Sequence, residues 1–305
     1  MALGGAALVG VLTAVQARIN GQLGARLDDG LLAAVISFGS GLILLIVLSA
    51  ALPEGRRGTA ALLAGMRGRT IPWWMLAGGA AGALTVATQG LAVAVIGVSL
   101  FTVGVVAGQA VCGLVLDRLG YGPAGVVAVT VPRLVGGALA LVAVGISLIG
   151  DGVRGIPIWM LALPFIAGMG IAWQQATNGR LRQRVGTPLT ATVVNFVGGT
   201  IILVVAWGAV RLPAAGMPAE FPDEAWLYAG GVIGAFYIIL SAALVAHTGV
   251  LLLGLGVVVG QLLASIAIDA IWPVASGPGF LQATAMVVVA LTGVAVAAAP
   301  GWRRR

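Results

Sequence analysis

Apolar residues fill most of the chain in long runs that are cut by Gly, Pro and Arg. Runs of about 18 to 24 such residues have the length of a helix that crosses a bilayer. The pattern predicts an all-α integral membrane protein, a single membrane domain over residues 1–305 with ten transmembrane helices. The predicted spans are 3–22, 31–52, 73–95, 98–117, 133–150, 157–178, 188–210, 225–246, 249–271 and 280–299.

One segment of the chain recurs 158 positions later. Residues 14–41 and 172–199 share Ala, Gln, Asn, Leu, Phe and Gly at matching positions, and a second register, 152 residues apart, matches 74–117 to 226–269. A repeat of this length indicates a duplicated fold with any site between its copies. We assign residues 1–150 to the first five-helix repeat and 157–302 to the second.

The number of spans in each half sets how the halves are related. Five is odd, so the second half enters the membrane from the opposite side, and the repeats are predicted to be inverted. Loop charges agree with this. The loop 53–71 is rich in Arg, whereas its counterpart carries Arg211 beside Glu220, Asp223 and Glu224.

Composition supports a multi-pass membrane protein, since 60% of residues are hydrophobic, 8% are charged and the mean hydropathy is +1.11. Short loops rich in Arg stay on the cytoplasmic side. With both termini cytoplasmic in the inner membrane, twelve arginines lie inside and four outside. The outer four are Arg18, Arg26, Arg154 and Arg211.

Several function classes are disfavoured. The net charge of +7 comes from arginines scattered through short loops, which does not indicate a nucleic-acid surface. Cys112 is the single cysteine, and one histidine with nine acids cannot assemble a catalytic or metal site, so we expect no enzyme, cofactor or metal. The expected partners are a small-molecule solute and the lipid bilayer, for a monomer or homodimer.

Four repeated amides are candidate substrate ligands. Gln16 and Asn20 share one helical face, as do Gln174 and Asn178. An amide in hydrocarbon is costly unless it is bonded, so each face must meet protein or water. Substrate binding and hydrogen bonding between helices explain the pattern equally well.

Gln109 and Gln261 lie near the middle of spans 4 and 9, the depth at which inverted-repeat carriers bind solutes. They are the leading candidates for a substrate site. The alternative is helix packing, because each follows a Gly-x-x-x-Gly pair, Gly104/Gly108 and Gly256/Gly260.

Three further residues are weaker candidates. Trp173 lies deeper than the interfacial tryptophans and could stack on a substrate, although packing explains it as well. Asp117 and Asp269 end spans 4 and 9 at equivalent positions and are possible ion-coupling groups. Salt bridging or solvation at a helix end is the alternative for both acids.

The motifs resemble those of the drug/metabolite transporter superfamily, most closely its YdcZ-like branch. They are Ala14-x-Gln16-x-x-x-Asn20, the segment 33–41, Val106-x-Gly108-Gln109, and Asp117-x-x-Gly120 followed by Arg133-Leu-Val-Gly136. The resemblance implies a ten-span carrier made of two fused five-span halves. The second half departs from the pattern, since Ala-Ile-Trp follows Asp269 and no counterpart of Arg133 is present.

These observations predict a secondary transporter that moves a small neutral or zwitterionic solute by alternating access. No acid lies deep in a span to balance a bare cation. A non-transporting membrane scaffold is the alternative, and a channel is disfavoured because no ring of like charges is visible.

Overall fold

The structure is a computed structural model. It describes residues 2–123, 125–147, 149, 156–218, 220–274 and 278–299, and for residues 2–3, 147, 215, 241–243 and 245–255 it describes only the backbone. The described part of the chain forms helices joined by short connections. These helices are α1 Ala2–Leu27, α2 Gly30–Ala51, α3 Pro53–Arg67, α4 Gly78–Ile96, α5 Val98–Arg118, α6 Val131–Ser147, α7 Ile158–Val185, α8 Pro188–Ala215, α9 Gly230–Ile271 and α10 Phe280–Ala298.

Six segments among the described residues are long and apolar enough to cross a membrane. They contain α2, α4, α5, α7, α8 and α10, and shorter apolar helices occupy Val131–Ile146, Gly230–Leu240 and Gly256–Ile271. Helix α1 falls outside both groups because polar residues such as Gln16 and Arg18 interrupt its apolar run. The all-helical membrane class predicted from the sequence is therefore supported.

Helix α3 is an element that the sequence analysis treated as a polar loop. Pro53 occupies its first turn, where the missing N–H costs nothing, and Arg67 lies in its last turn. At 15 residues it is too short to span a bilayer. Its small residues pack inward: a Cβ at Gly58 would overlap Thr187 and Thr190 at the start of α8.

Helix α9 covers two predicted spans without a break in its helical backbone. Its parts nevertheless contact one stretch of α1, because Gln16 bonds the Gly230 carbonyl while Gly10 abuts the backbone of Gln261. A straight helix would separate residues 230 and 261 by about 46 Å, whereas residues 10 and 16 of α1 are about 9 Å apart. The chain therefore reverses, giving a first arm, 230–244, and a second arm, 256–271.

The connections lie at two sides of the bundle. One side holds the links after α2, α5 and α7, and the other holds those after α1, α4 and α8. The second side holds the acids Asp28, Asp29, Glu220, Asp223 and Glu224. We call it the acid-rich side. The arginine-rich side holds Arg56, Arg57, Arg67, Arg69, Arg118, Arg133, Arg180, Arg182 and Arg184.

Glycines set the closest helix contacts, and they do so reciprocally between the halves. A Cβ at Gly108 of α5 would overlap the Phe165 carbonyl of α7, and one at Gly260 would overlap the Ala7 carbonyl of α1. Phe165 and Ala7 are 158 residues apart, the offset of the repeat. The packing contact expected of the Gly-x-x-x-Gly pairs is thus present in both halves.

Substituting Gly108 by Ala should lower the unfolding temperature of the detergent-solubilised protein, because the added methyl forces α5 away from α7 at a cost of about 1 to 3 kcal/mol. Gly113→Ala in the same helix is the matched control, since a Cβ there meets nothing within 4 Å. It should gain up to about 1 kcal/mol of helix propensity. Equal unfolding temperatures for the two variants would contradict the close contact.

Candidate functional site

Two phenylalanines from equivalent positions of the repeat meet at the centre of the bundle. Phe38 of α2 and Phe196 of α8 stack with ring centroids 4.8 Å apart and an angle of 29° between the rings. Each ring is buried, and each packs on a glycine of the other half: Phe196 on Gly41 and Phe38 on Gly199. The contacts described below form two related sets, one toward each side of the bundle from this stack.

Toward the acid-rich side, the amides of α1 bond to the neighbouring helices. Gln16 Nε2 donates to the Gly230 carbonyl at 2.8 Å, and Asn20 Nδ2 donates to Gln89 Oε1 of α4 at 2.7 Å. The side chains of Gln16, Asn20, Ser37 and Gln89 are all buried. Asn20 Oδ1 and the Ser37 hydroxyl have no hydrogen-bond partner among the described residues. We call these four residues the first amide cluster.

Toward the arginine-rich side, the amides of α7 converge on Asn195 of α8. Gln174 Nε2 and Asn178 Nδ2 both donate to Asn195 Oδ1, at 2.8 and 3.1 Å. Asn178 packs against Gly78 of α4, as Asn20 packs against Gly230 of α9. We call Gln174, Asn178 and Asn195 the second amide cluster. The sequence gives Asn195 only weak support as a site residue and does not group it with the α7 amides, because its repeat partner is Ser37.

The two clusters differ in exposure. Gln16 is 4% exposed and Asn20 is fully buried, whereas Gln174 and Asn178 are only partly buried. The first cluster is therefore more deeply buried than the amides of α7 in the second.

The two midplane glutamines do not join either cluster. Gln109 is half-buried and Gln261 is 6% exposed, and neither carboxamide makes a hydrogen bond to a described residue. Both follow the glycines of the α5–α7 and α9–α1 contacts. Two surface pockets are described, one at each side, and neither is lined by Gln16, Gln109, Gln174 or Gln261.

Trp173 is half-buried on a face of α7 that continues through Thr177, Arg180 and Arg184. The guanidinium carbon of Arg180 lies 5.6 Å from the centroid of Trp74 and 5.0 Å from that of Tyr121. This arginine was interpreted from sequence only as a marker of topology. The aromatic residue at position 121, in a glycine-rich loop that follows Arg118, was the feature that could have indicated the cluster.

Asp269 accepts hydrogen bonds from the start of α5. The backbone N–H groups of Val98 and Ser99 donate to its carboxylate oxygens at 2.9 and 2.7 Å. Gly97 precedes them with φ of +81°, and a Cβ there would come within 3.1 Å of the carboxylate. Asp269 is thus an anionic cap for a helix of the other half.

Asp117, its repeat counterpart, forms an ion pair with Arg133 of α6. The cation that pairs with Asp117 therefore belongs to the same repeat as Asp117 itself. The cation that acts electrostatically on Asp269 is Arg18 of α1, whose counterpart in the second half is Ala176. Nη1 of Arg18 is buried and has no hydrogen-bond partner among the described residues. Sequence analysis counted Arg18, near the end of the predicted span 3–22, among the outer arginines and gave it no role at Asp269.

A further carboxylate, that of Asp29, connects helices at the acid-rich side. Asp29 is buried and accepts hydrogen bonds from the Leu32 N–H at 3.0 Å and from Trp207 Nε1 at 2.9 Å, and Arg211 Nε lies 3.3 Å from it. Arg26 pairs with Glu224 at 3.1 Å nearby. These contacts join the α1–α2 connection to α8 and to the segment before α9.

Comparison with known families supports the assignment of the fold to a transporter lineage. The profile of a family described as "Putative inner membrane exporter, YdcZ" matches residues 1–147 and again 159–298. The chain belongs to the YdcZ family. The double match confirms the resemblance to two fused YdcZ-like halves, and with the apolar helices it supports a multi-pass inner-membrane protein. A search of curated proteins finds no match.

Removing the Asp269 carboxylate should destabilise this YdcZ-family protein. Asp269→Ala leaves two backbone donors at the start of α5 without their acceptor, a loss of about 0.5 to 2 kcal/mol. Asp269→Asn retains an acceptor and should lose less. Thermal unfolding in detergent measures both, with Asp223→Ala as control because Asp223 is exposed. An unchanged unfolding temperature for Asp269→Ala would argue against the cap.

Proposed function

We propose that the chain is a secondary transporter that moves a small neutral or zwitterionic solute across the inner membrane by alternating access. Ten spans form one membrane domain of two inverted five-helix repeats, residues 1–150 and 157–302. Both termini face the cytoplasm, so the arginine-rich side is the inner side. The solute passes between the repeats, and no chemical step is catalysed.

Reciprocal contacts between the halves carry this proposal. The α1 amides meet α9 at Gly230 and Gly234, and the α7 amides meet α4 at Gly78 and Gly82, which are the repeat counterparts. Each half therefore contacts the other through equivalent surfaces. Such an arrangement has two related conformations of similar packing, because exchanging the roles of the halves opens the opposite side.

The difference in exposure between the amide clusters supports a state that is closed toward the outside. The first cluster is buried beneath the Asp29 and Arg26 contacts, whereas the second is partly exposed. Between them lies the Phe38–Phe196 stack, which is a barrier to water. In the opposite state the first cluster opens and the second closes around Asn195.

The polar groups available to a solute are mainly carboxamides. Gln16, Asn20, Gln174 and Asn178 offer both donors and acceptors, which suits hydroxyl, amide or zwitterionic solutes. The described hydrogen bonds of both amide clusters involve only carboxamides and a backbone carbonyl, and no acid. A bare cation would lack a counter-charge there, so its desolvation would be uncompensated.

A membrane scaffold is the second candidate, and the amide hydrogen bonds favour it. Gln16, Asn20, Gln174 and Asn178 all bond to neighbouring helices, as a purely structural role requires. The unbonded Gln109 and Gln261 favour transport instead, since a packing role gives them no partner among the described residues. Transport by the purified protein separates the two candidates.

Proteoliposome uptake across a metabolite panel, with and without a pH gradient, tests transport. Gln109→Leu and Gln261→Leu should each lower the flux of the transported solute about tenfold, the loss of one hydrogen bond of about 1.4 kcal/mol. Gln175→Leu is the matched control, because Gln175 is exposed on α7. Unchanged flux in both variants would remove the midplane site, and absence of any flux would favour the scaffold.

Orientation can be tested separately in a Cys112→Ala background, which removes the single native thiol. A membrane-impermeant maleimide applied to intact spheroplasts should label Asp223→Cys on the acid-rich side and leave Arg57→Cys unlabelled. Lysis should make both residues reactive, which controls for local accessibility. Labelling of Arg57→Cys before lysis would reverse the assigned sides.

A further inference from the structure

A pocket of about 320 Å³ lies on the arginine-rich side between the start of α4, the α5–α6 connection and the end of α7. We call it the arginine pocket. Its described lining includes Met75, Gly120, Arg180, Gln183 and Arg184, and none of its described lining residues is acidic. Two guanidinium groups and a carboxamide therefore face the pocket without an acid in its lining.

The contacts of Arg180 hold its guanidinium in place. Its Nη2 donates to the Gly120 carbonyl at 2.9 Å, and its plane lies over Trp74 and Tyr121. Tyr121 is itself fixed, since its hydroxyl lies 3.1 Å from that of Thr177. An arginine has five N–H donors in a planar fork, so most remain available for an oxyanion. Asp117 does not neutralise this charge, because it pairs with Arg133.

The pocket is next to the second amide cluster. Met75 lines the pocket, and Gly78, one helical turn along the chain, packs against Asn178. On α7, Arg180 follows Asn178 by two residues. A solute held at Arg180 is thus within one helical turn of the partly exposed amides.

The acid-rich side has the opposite charge. Its pocket, of about 440 Å³, is lined by Glu220, Asp223 and Glu224 together with Arg26. Among the described lining residues, guanidinium groups thus occur without an acid in the arginine pocket, whereas carboxylates outnumber the one arginine in the opposite pocket.

We propose that the transported solute carries an oxyanion group, a carboxylate or a phosphate, and that the arginine pocket captures this group through Arg180 and Arg184. The inference rests on the proposed transport function and selects, within it, zwitterionic solutes over neutral ones. Capture occurs on the arginine-rich side, and the acids of the other pocket repel the oxyanion there and favour its release.

Binding can be measured without knowing the natural solute. The full chain is reconstituted in phosphatidylcholine nanodiscs and titrated calorimetrically with benzoate and phenyl phosphate as anions, benzamide as the neutral analogue and benzylamine as the cation. The variants are Arg180→Gln, Arg180→Lys and Arg184→Gln. Arg182→Gln is the matched control, because Arg182 is exposed on the same helical turn and does not line the pocket.

Both anions should bind at least tenfold more tightly than benzamide or benzylamine. Arg180→Gln should weaken anion binding at least tenfold, and Arg184→Gln severalfold. Arg180→Lys should recover only part of the loss, because lysine lacks the planar fork. Arg182→Gln should bind the anions like the wild type. A preference for benzoate over phenyl phosphate, or the reverse, identifies which oxyanion the pocket accepts.

Equal affinity for benzamide, no anion binding at millimolar concentration, or unchanged binding in both Arg180→Gln and Arg184→Gln would overturn the proposal. Competition by phosphatidylglycerol discs that disappears in Arg180→Gln would assign the pocket to a lipid headgroup and also overturn it. Failure of the transport function gives a different result. Proteoliposomes would then move no solute, while anions still bound through Arg180.

Discussion

The close approach of helix backbones at glycine is the constraint on which the bundle depends. Helices in hydrocarbon gain little from burying apolar side chains against one another, so they associate where backbones can come close. In each half a Gly-x-x-x-Gly pair removes the side chains from one contact, and a glycine of the opposing helix, Gly10 or Gly168, does the same. The resulting crossings fix α1 against α9 and α7 against α5. The amides of α1 and α7 reach their positions as a result.

The polar residues placed by these crossings are incompletely satisfied. Asn20 and Asn178 each donate one hydrogen bond, yet the Oδ1 of each has no partner among the described residues. An unsatisfied buried acceptor costs about 1 to 3 kcal/mol, so a network built only for stability would avoid it. Gly230 and Gly78 lie beneath these two oxygens, so each unpaired acceptor faces the backbone of a helix in the other half.

Much of the fold followed from the sequence, because apolar length and spacing are local properties. Helices α2, α5 and α10 begin and end within two residues of their predicted spans. Helix α3 was missed because an amphipathic helix of 15 residues has the composition of a polar loop. The boundary predicted near residue 247 lies within α9, between its two arms. The reversal inside α9 is visible only from contacts with α1.

The site was less accessible to sequence analysis. The repeat located Gln16, Asn20, Gln174 and Asn178, because duplication marks equivalent positions. The repeat partner of Asn195 is Ser37 and that of Arg18 is Ala176, so comparison of the two halves did not mark either residue. Their roles depend on which helices meet, and that information is absent from local spacing.

Fusion of the halves has a consequence for the two sides of the bundle, since a pair of identical chains related by a two-fold axis must show the same residues at equivalent positions. Here Arg180 and Tyr121 correspond to Gln22 and Pro273. A fused chain can therefore carry a different set of side chains at each of these paired positions, which identical subunits cannot do.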